Sequence, residues 1–238
     1  MKKGRLILIP SFLDESNDKH SIIPYNLQLI YEIRIFIVEQ IRTSRRFLKK
    51  IGYPHSFEQV QFMELNKKIS PLDIDCYLNS AVNGEDIGLI SDAGSPCIAD
   101  PGSEIVRVAH KKSIRVIPLA GYSSIFLALM ASGFNGQSFV FHGYLPVEKK
   151  SRETRLREIE NNSYRLDQTQ IFMETPYRNN QMMDSVMRVC HPETHICIAA
   201  NLTNPVAEFI HSKSVREWMG KKPDLHKKQV IFILHSGK

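Results

Sequence analysis

Three carboxylates stand at the ends of apolar runs, where a chain places groups that do chemistry. Glu39 closes "RIFIVE" (34–39), while Asp92 and Asp100 lie in "SDAGSPCIADPG" (91–102), directly after "IGLI". A carboxylate so placed is a candidate general base for a weak nucleophile. Arg42 and Arg45 are candidate cations for stabilising developing negative charge. Each carboxylate also has a plainer reading. Glu39 could pair with Arg42, Asp92 could hold a turn or a ligand, and Asp100 could cap a helix.

Around these residues the glycines carry a second signal. "DAGSP" (92–96) and "AGYSS" (120–124) each follow a strand-like run. Glycine lets the backbone approach a ligand closely or take a positive φ. Neither GxGxxG nor GxxxxGK[ST] occurs, so a phosphate cradle is poorly supported. A ligand held by backbone groups and small hydroxyls fits better.

The elements that must position these residues follow from the apolar pattern. Strands are expected at 6–10, 34–39, 87–91 and 114–120, with helices at 23–33, 42–52, 73–84 and 102–112 between them. Alternation of this kind implies a parallel, open α/β sheet whose ligands sit at the carboxyl ends of the strands. Asp100 and Pro101 fall where the 102–112 helix should begin. Beyond residue 120, helices are expected at 123–133, 149–162 and 178–189. Strands are expected at 138–146 and 170–175, then at 195–203, 207–215 and 229–235 with no long helix between the last three. That run favours antiparallel pairing. The reading is an α/β protein of two domains, 1–118 with a parallel open sheet and 119–238 with a mixed sheet.

Composition bounds the partners. The net charge is +6, and "RTSRRFLKK" places Arg42, Arg45, Arg46, Lys49 and Lys50 within nine residues without an acid. A polyanion such as RNA would be met by such a helix, although a basic helix face is often merely solvated. No run of 18 apolar residues exists, so no membrane span is expected. Cys76, Cys97, Cys190 and Cys197 form no CxxC, which favours a reducing, cytoplasmic setting. The cluster of Cys190, His191, His195 and Cys197 lacks the spacing of a zinc finger; a buried cysteine with histidines at a strand edge is the simpler reading, and no metal is expected.

"LISDAGSPCIADPGSEIVR" followed by "VIPLAGYSSIFLALMASG" resembles the tetrapyrrole-methylase superfamily, in its 16S ribosomal RNA ribose 2′-O-methyltransferase branch. "VEQIRTSRRFLKKIG", "FHGYLP", "FMETPYR" and "ANLTN" are similar to further segments of that branch, in the same order. The resemblance implies S-adenosylmethionine bound between two α/β domains, a homodimer, and methyl transfer to a ribose hydroxyl of the small ribosomal subunit. It implies cofactor contacts from Pro10, from Asp92, Ala93, Gly94 and Ser95, and from Ile98. Gly121, Ser123, Ser124, Met173, Asn201 and Leu202 complete that set.

The chain departs from the branch at "IPSFLDE" (9–15), at Gln40 where an acid is usual, and at "MELN" (63–66) and "AGYS" (120–123). Two other readings follow from these departures. One is a methyltransferase acting on a tetrapyrrole or a modified protein side chain. The other is a non-catalytic RNA-binding relative.

Overall fold

The computed structural model describes residues 2–65 and 71–237, with the side chains of 71–73 set aside. It divides into two compact units, Met1–Ser123 and Ser124–Lys238.

The first unit carries a five-stranded sheet of β1 (Arg5–Ile9), β2 (Ile35–Val38), β3 (Gln61–Glu64), β4 (Ile87–Ile90) and β5 (Arg115–Pro118). Its order is β3-β2-β4-β1-β5 and every pairing is parallel. The central strands are short apolar runs buried on both faces, as a covered parallel sheet requires. The two-residue period sorts them. Ile7, Ile9, Phe36 and Val38 pack with α1 (Pro24–Glu32) and α2 (Ile41–Lys50). Leu6, Ile35 and Ile37 pack on the other side, with Leu78, Ala81, Ile105 and Ala109.

The expected helix 73–84 is two short pieces, α3 (Pro71–Cys76) and α4 (Asn79–Val82). Leu78 is fully buried at the break, so packing rather than helical periodicity sets its position. Strand β3 had not been expected. Its "QFME" is only half-buried, and it forms the sheet edge beside β2. The "MELN" segment ends at Asn66, outside the described residues. From β1 the chain runs toward β2, and it later leaves β4 toward β5 through α5 (Ser103–Lys111). The carboxyl ends of β1 and β4 therefore meet where the winding reverses, the place where open α/β sheets hold ligands.

The second unit opens with α6 (Ser124–Ser132). Next come β6 (Phe139–Tyr144), α7 (Lys149–Leu166), β7 (Thr169–Met173) and α8 (Asn179–Val189). The chain closes with β8 (His195–Ala200), β9 (Phe209–Ser214), α9 (Val215–Gly220) and β10 (Val230–His235). The sheet order is β6-β7-β10-β8-β9, with β6–β7 parallel and the other pairs antiparallel. Helix α7 runs four residues past its expected end and stops at Asp167 in the left-handed conformation. Short α9, not expected, is fixed by a capping box between Ser214 and Glu217. Its Trp218 is buried and donates from Nε1 to the Ile196 carbonyl at 2.9 Å. Cys197 is buried in β8 and His195 is exposed at its start.

Candidate active site

Strands β2 and β4 lie side by side with Val38 opposite Ile90, so Glu39 and Ser91 leave the sheet together. This register brings the three carboxylates into one cluster. The Asp92 N–H donates to Glu39 Oε1 at 3.1 Å. The Glu39 and Asp100 carboxyls are close enough for each to shift the other's titration. Ser91 Oγ donates to Asp100 Oδ2 and accepts from the Ala93 N–H at 3.2 Å. The Asp92 Oδ1 is buried without a partner.

Two expectations are corrected here. Arg42 forms no ion pair with Glu39. Asp100 does not cap α5: the N-cap is Gly102, at φ 128°, with no side-chain cap, and the Asp100 carboxyl turns inward to Ser91 and Glu39.

The electrostatics follow from burial without a counter-charge among the described residues. Desolvation, then the nearby charges of Asp100 and Asp92, push Glu39 up to about 7. Burial likewise raises Asp100, and burial together with the Asp100 charge raises Asp92. Like charges in a partly dry site cannot all ionise, so the cluster keeps a proton to about neutral pH. That is the titration range of a useful general base.

The loop that carries Asp92 and Asp100 is held in an unusual path. Gly94, Cys97, Ala99 and Gly102 all have positive φ, two of them without being glycine. Non-glycine residues in this region cost free energy and persist where surroundings enforce them. The loop is pinned to its neighbours, as the Ser11 N–H donates to the Gly94 carbonyl at 3.0 Å and Ser95 Oγ donates to the Tyr122 carbonyl at 2.8 Å. The carboxyl-end loops of β1, β4 and β5 are thus one tied surface that includes Pro10, Gly94, Ser95 and Gly121. A Cβ at Gly121 would come within 2.6 Å of Pro10 Cβ. The glycine there makes room for the protein's own loop. Ala93 and Ile98 are exposed on the same loop, and Ser123 ends the unit.

Within the second unit, the expected contacts Met173, Asn201 and Leu202 share one edge. Met173 pairs with Ile231 and Ala200 with Val230, so β7 and β8 end on either side of the start of β10. Asn201 sits at φ 50°, donates from Nδ2 to the Ala207 carbonyl at 3.2 Å and accepts the Gln229 N–H at 3.3 Å. Its side chain is committed to its own loop, and Leu202 is buried in the core. Ser124 begins α6.

The basic helix α2 is less free than its composition suggests. Arg45 lies over the rings of Phe57 and Phe62, at 5.6 and 5.1 Å from their centroids. Arg46 pairs with Glu15, and Lys50 donates to the Glu15 and Asn17 carbonyls. Arg42 and Lys49 are exposed. The helix therefore braces the loop after β1 and is not remote from the candidate site.

Sequence reading missed Ser91, Ser11 and Asn26 as site residues. Ser11 is buried with an unpartnered Oγ, and Asn26 Nδ2 donates to the Ala120 carbonyl at 2.7 Å. The only hint was Ser11's place in "IPSFLDE"; Asn26 lies in an ordinary helix pattern.

Solved methyltransferase structures share this fold. The methyltransferase CobJ matches with a TM-score of 0.62 at 15% identity, over 98% of this chain and 94% of that one. Cobalt precorrin-4 methyltransferase matches with a TM-score of 0.61 at 14% identity, over 97% and 94%. At such identities the likeness concerns the fold alone. The family model of tetrapyrrole (corrin/porphyrin) methylases matches residues 62–217, and this chain belongs to that family. It is a methyltransferase. Two relatives are each called ribosomal RNA small subunit methyltransferase I. The one from Haemophilus influenzae is 35% identical over 210 residues, 87% of this chain and 71% of that protein. The one from Halalkalibacterium halodurans is 38% identical over 208 residues, 87% and 68%.

Proposed function

We propose that this chain transfers a methyl group from S-adenosylmethionine to a ribose 2′-hydroxyl of small-subunit ribosomal RNA. The relatives' names support the RNA. The observation that carries the chemistry is the Glu39–Asp92–Asp100 cluster, which has burial and hydrogen bonds but no ion-paired cation among the described residues. The surroundings fit the cofactor. Its sulfonium and ammonium are cations, and an acidic edge beside loops that offer backbone groups is complementary to them. When bound, it supplies an electrophilic methyl carbon. In the first unit, residues of the 92–95 loop, Pro10 and the 121–123 segment would hold it.

The protein's own contribution is orientation and proton handling. Fixing the acceptor hydroxyl in line with the methyl donor removes much of the entropic barrier, up to about 7–11 kcal/mol in the best cases. Ionised Glu39 would take the hydroxyl proton as the C–O bond forms and the methyl–sulfur bond of the donor breaks, its electron pair staying on sulfur, and Asp100 would receive the hydrogen bond of the resulting acid. Ser91 and the Asp92 N–H keep the pair aligned.

The chain acts in the cytoplasm, as a pair of identical subunits. The exposed Phe126 and Met130 on α6 support the pairing. A monomer by light scattering at micromolar concentration would remove that part of the proposal.

The test is mass mapping of ribosomal RNA after incubation of purified protein, S-adenosylmethionine and small subunits from a strain lacking the chain. One nucleotide gains a ribose methyl. An unmodified RNA, or methyl found on a tetrapyrrole or a protein instead, would overturn the reading. Gly94→Val serves as its control on the cofactor. Gly94 has φ 75°, and a Cβ there would meet Leu13 Cδ2 at 3.0 Å and the Tyr122 carbonyl at 3.3 Å. The branched residue should displace the loop and weaken cofactor binding at least tenfold by calorimetry, with cooperative melting retained. Unchanged affinity would place the cofactor elsewhere.

A further inference from the structure

A cavity of about 340 Å³ lies within the first unit, at the carboxyl ends of β1 and β5 beside the start of α1. Resting on the ribosomal RNA reading above, we infer that it receives the unstacked base of an RNA nucleotide, so that the attached ribose is presented to the carboxylate cluster.

Four observations converge. First, the lining contains no charged side chain; its walls include Ile23, Leu119 and the rings of Phe12 and Tyr122, and it shares Pro10 and Gly121 with the loops proposed to hold the cofactor. A phosphate or a charged ligand would find no partner there. A neutral, planar heterocycle would find apolar walls and π-faces, which is how proteins hold bases taken out of a stack. Second, the size falls at the lower end of ligand pockets. Third, Ser11 lines the cavity at 3% exposure and its Oγ has no hydrogen-bond partner. A buried hydroxyl left unpaired is costly, and a ligand that supplies the missing bond recovers that cost. Asn26, buried alongside, uses its Nδ2 on Ala120 and adds an amide oxygen to the wall.

The fourth observation is position. Ser11 donates its N–H to Gly94, two residues beyond Asp92. Strands β1 and β4 are adjacent, about 4.8 Å apart, so the cavity and the carboxylates share one edge of the sheet. A base seated beyond β1 and a ribose over β4 is a nucleoside laid across neighbouring strands.

The test uses nucleosides as probes, so that it does not depend on turnover. Protein without and then with saturating S-adenosylhomocysteine is mixed with cytidine, uridine, adenosine or guanosine at millimolar concentration, and saturation-transfer NMR reads binding. At least one nucleoside binds to the parent. Ile23→Trp crowds the cavity from a half-exposed position that carries no core packing, and should reduce the signal at least fivefold. Ser11→Ala, which removes only the hydroxyl, should reduce it less. Both variants should keep the parent's affinity for S-adenosylhomocysteine. Three results would overturn the inference: no nucleoside binds, Ile23→Trp binds as the parent does, or S-adenosylhomocysteine displaces the nucleoside. The last would return the cavity to the cofactor. Methylation of small subunits by the parent is scored separately, so loss of this inference leaves that reaction standing.

Discussion

Each unit buries carboxylates at the carboxyl end of a strand, and the two units treat them in opposite ways. In the second unit Glu174 follows β7 and is 5% exposed. It accepts from Arg178 Nη2 at 2.7 Å and from the Thr175 N–H at 2.6 Å. A cation and a backbone donor meet it, and it fastens the start of α8. In the first unit Glu39, Asp92 and Asp100 have one another, Ser91 and backbone donors, and no arginine. Glu39 rises to about 7 as a result. The same functional group is a structural tie where a cation meets it and a proton store where no described cation does.

The comparison can be broken first at the paired side. Arg178→Met leaves Glu174 buried beside no cation. Breaking a buried pair costs about 3–5 kcal/mol, and the partly exposed guanidinium, at 32%, argues for the lower end. Urea unfolding at pH 7.5 should show a loss of about 3 kcal/mol. A loss under about 0.5 kcal/mol would make Glu174 no different from a surface acid.

Asp100→Asn sharpens the other side. It removes a like charge from Glu39, so the Glu39 pKa should fall below about 7. The sign on stability follows. A carboxyl raised in the folded state binds its proton more tightly there than when unfolded. Its stabilising contribution is therefore full below the unfolded value of 4.5 and is lost as pH rises through about 7. Unfolding free energy of the parent should decline over that window. In Asp100→Asn the decline should be shallower and end at lower pH. Identical profiles would show that Asp100 does not perturb Glu39.

The smallest effect concerns α2. Arg42 and Lys49, rather than the engaged Arg45, Arg46 and Lys50, are the residues available to RNA phosphates. Arg42→Ala with Lys49→Ala should lower the log–log salt slope of RNA binding by about 0.7–0.9 per contact and leave stability unchanged. Arg45→Ala with Arg46→Ala should also destabilise the fold, since those side chains hold Phe57, Phe62 and Glu15. An unchanged slope in both would make the helix a brace only.

Much of this was legible in the sequence. Apolar runs such as "IFIV" and "IGLI" announce doubly covered strands, and Glu39, Asp92 and Asp100 were visible at their ends. Their mutual approach was not legible, because it depends on β4 inserting between β2 and β1, and strand order leaves no local mark. Asp100 looked like a cap because Asp-Pro-Gly before a helix is usually one; tertiary hydrogen bonding to Ser91 overrode that preference. Asn26 was silent and Ser11 only hinted at for a similar reason, since a cavity wall is assembled from α1 and two strand ends far apart in the chain.

The central claim, that Glu39 takes the hydroxyl proton, is tested most directly by the pH dependence of single-turnover methyl transfer to small ribosomal subunits, in parent and Glu39→Gln. The parent rate should rise with pH and level off above about 7, as Glu39 ionises. Glu39→Gln should be slower by about 10²–10⁴-fold and flat across that range, with cofactor affinity kept. A Glu39→Gln enzyme with the parent's rate and the parent's pH limb would contradict the account.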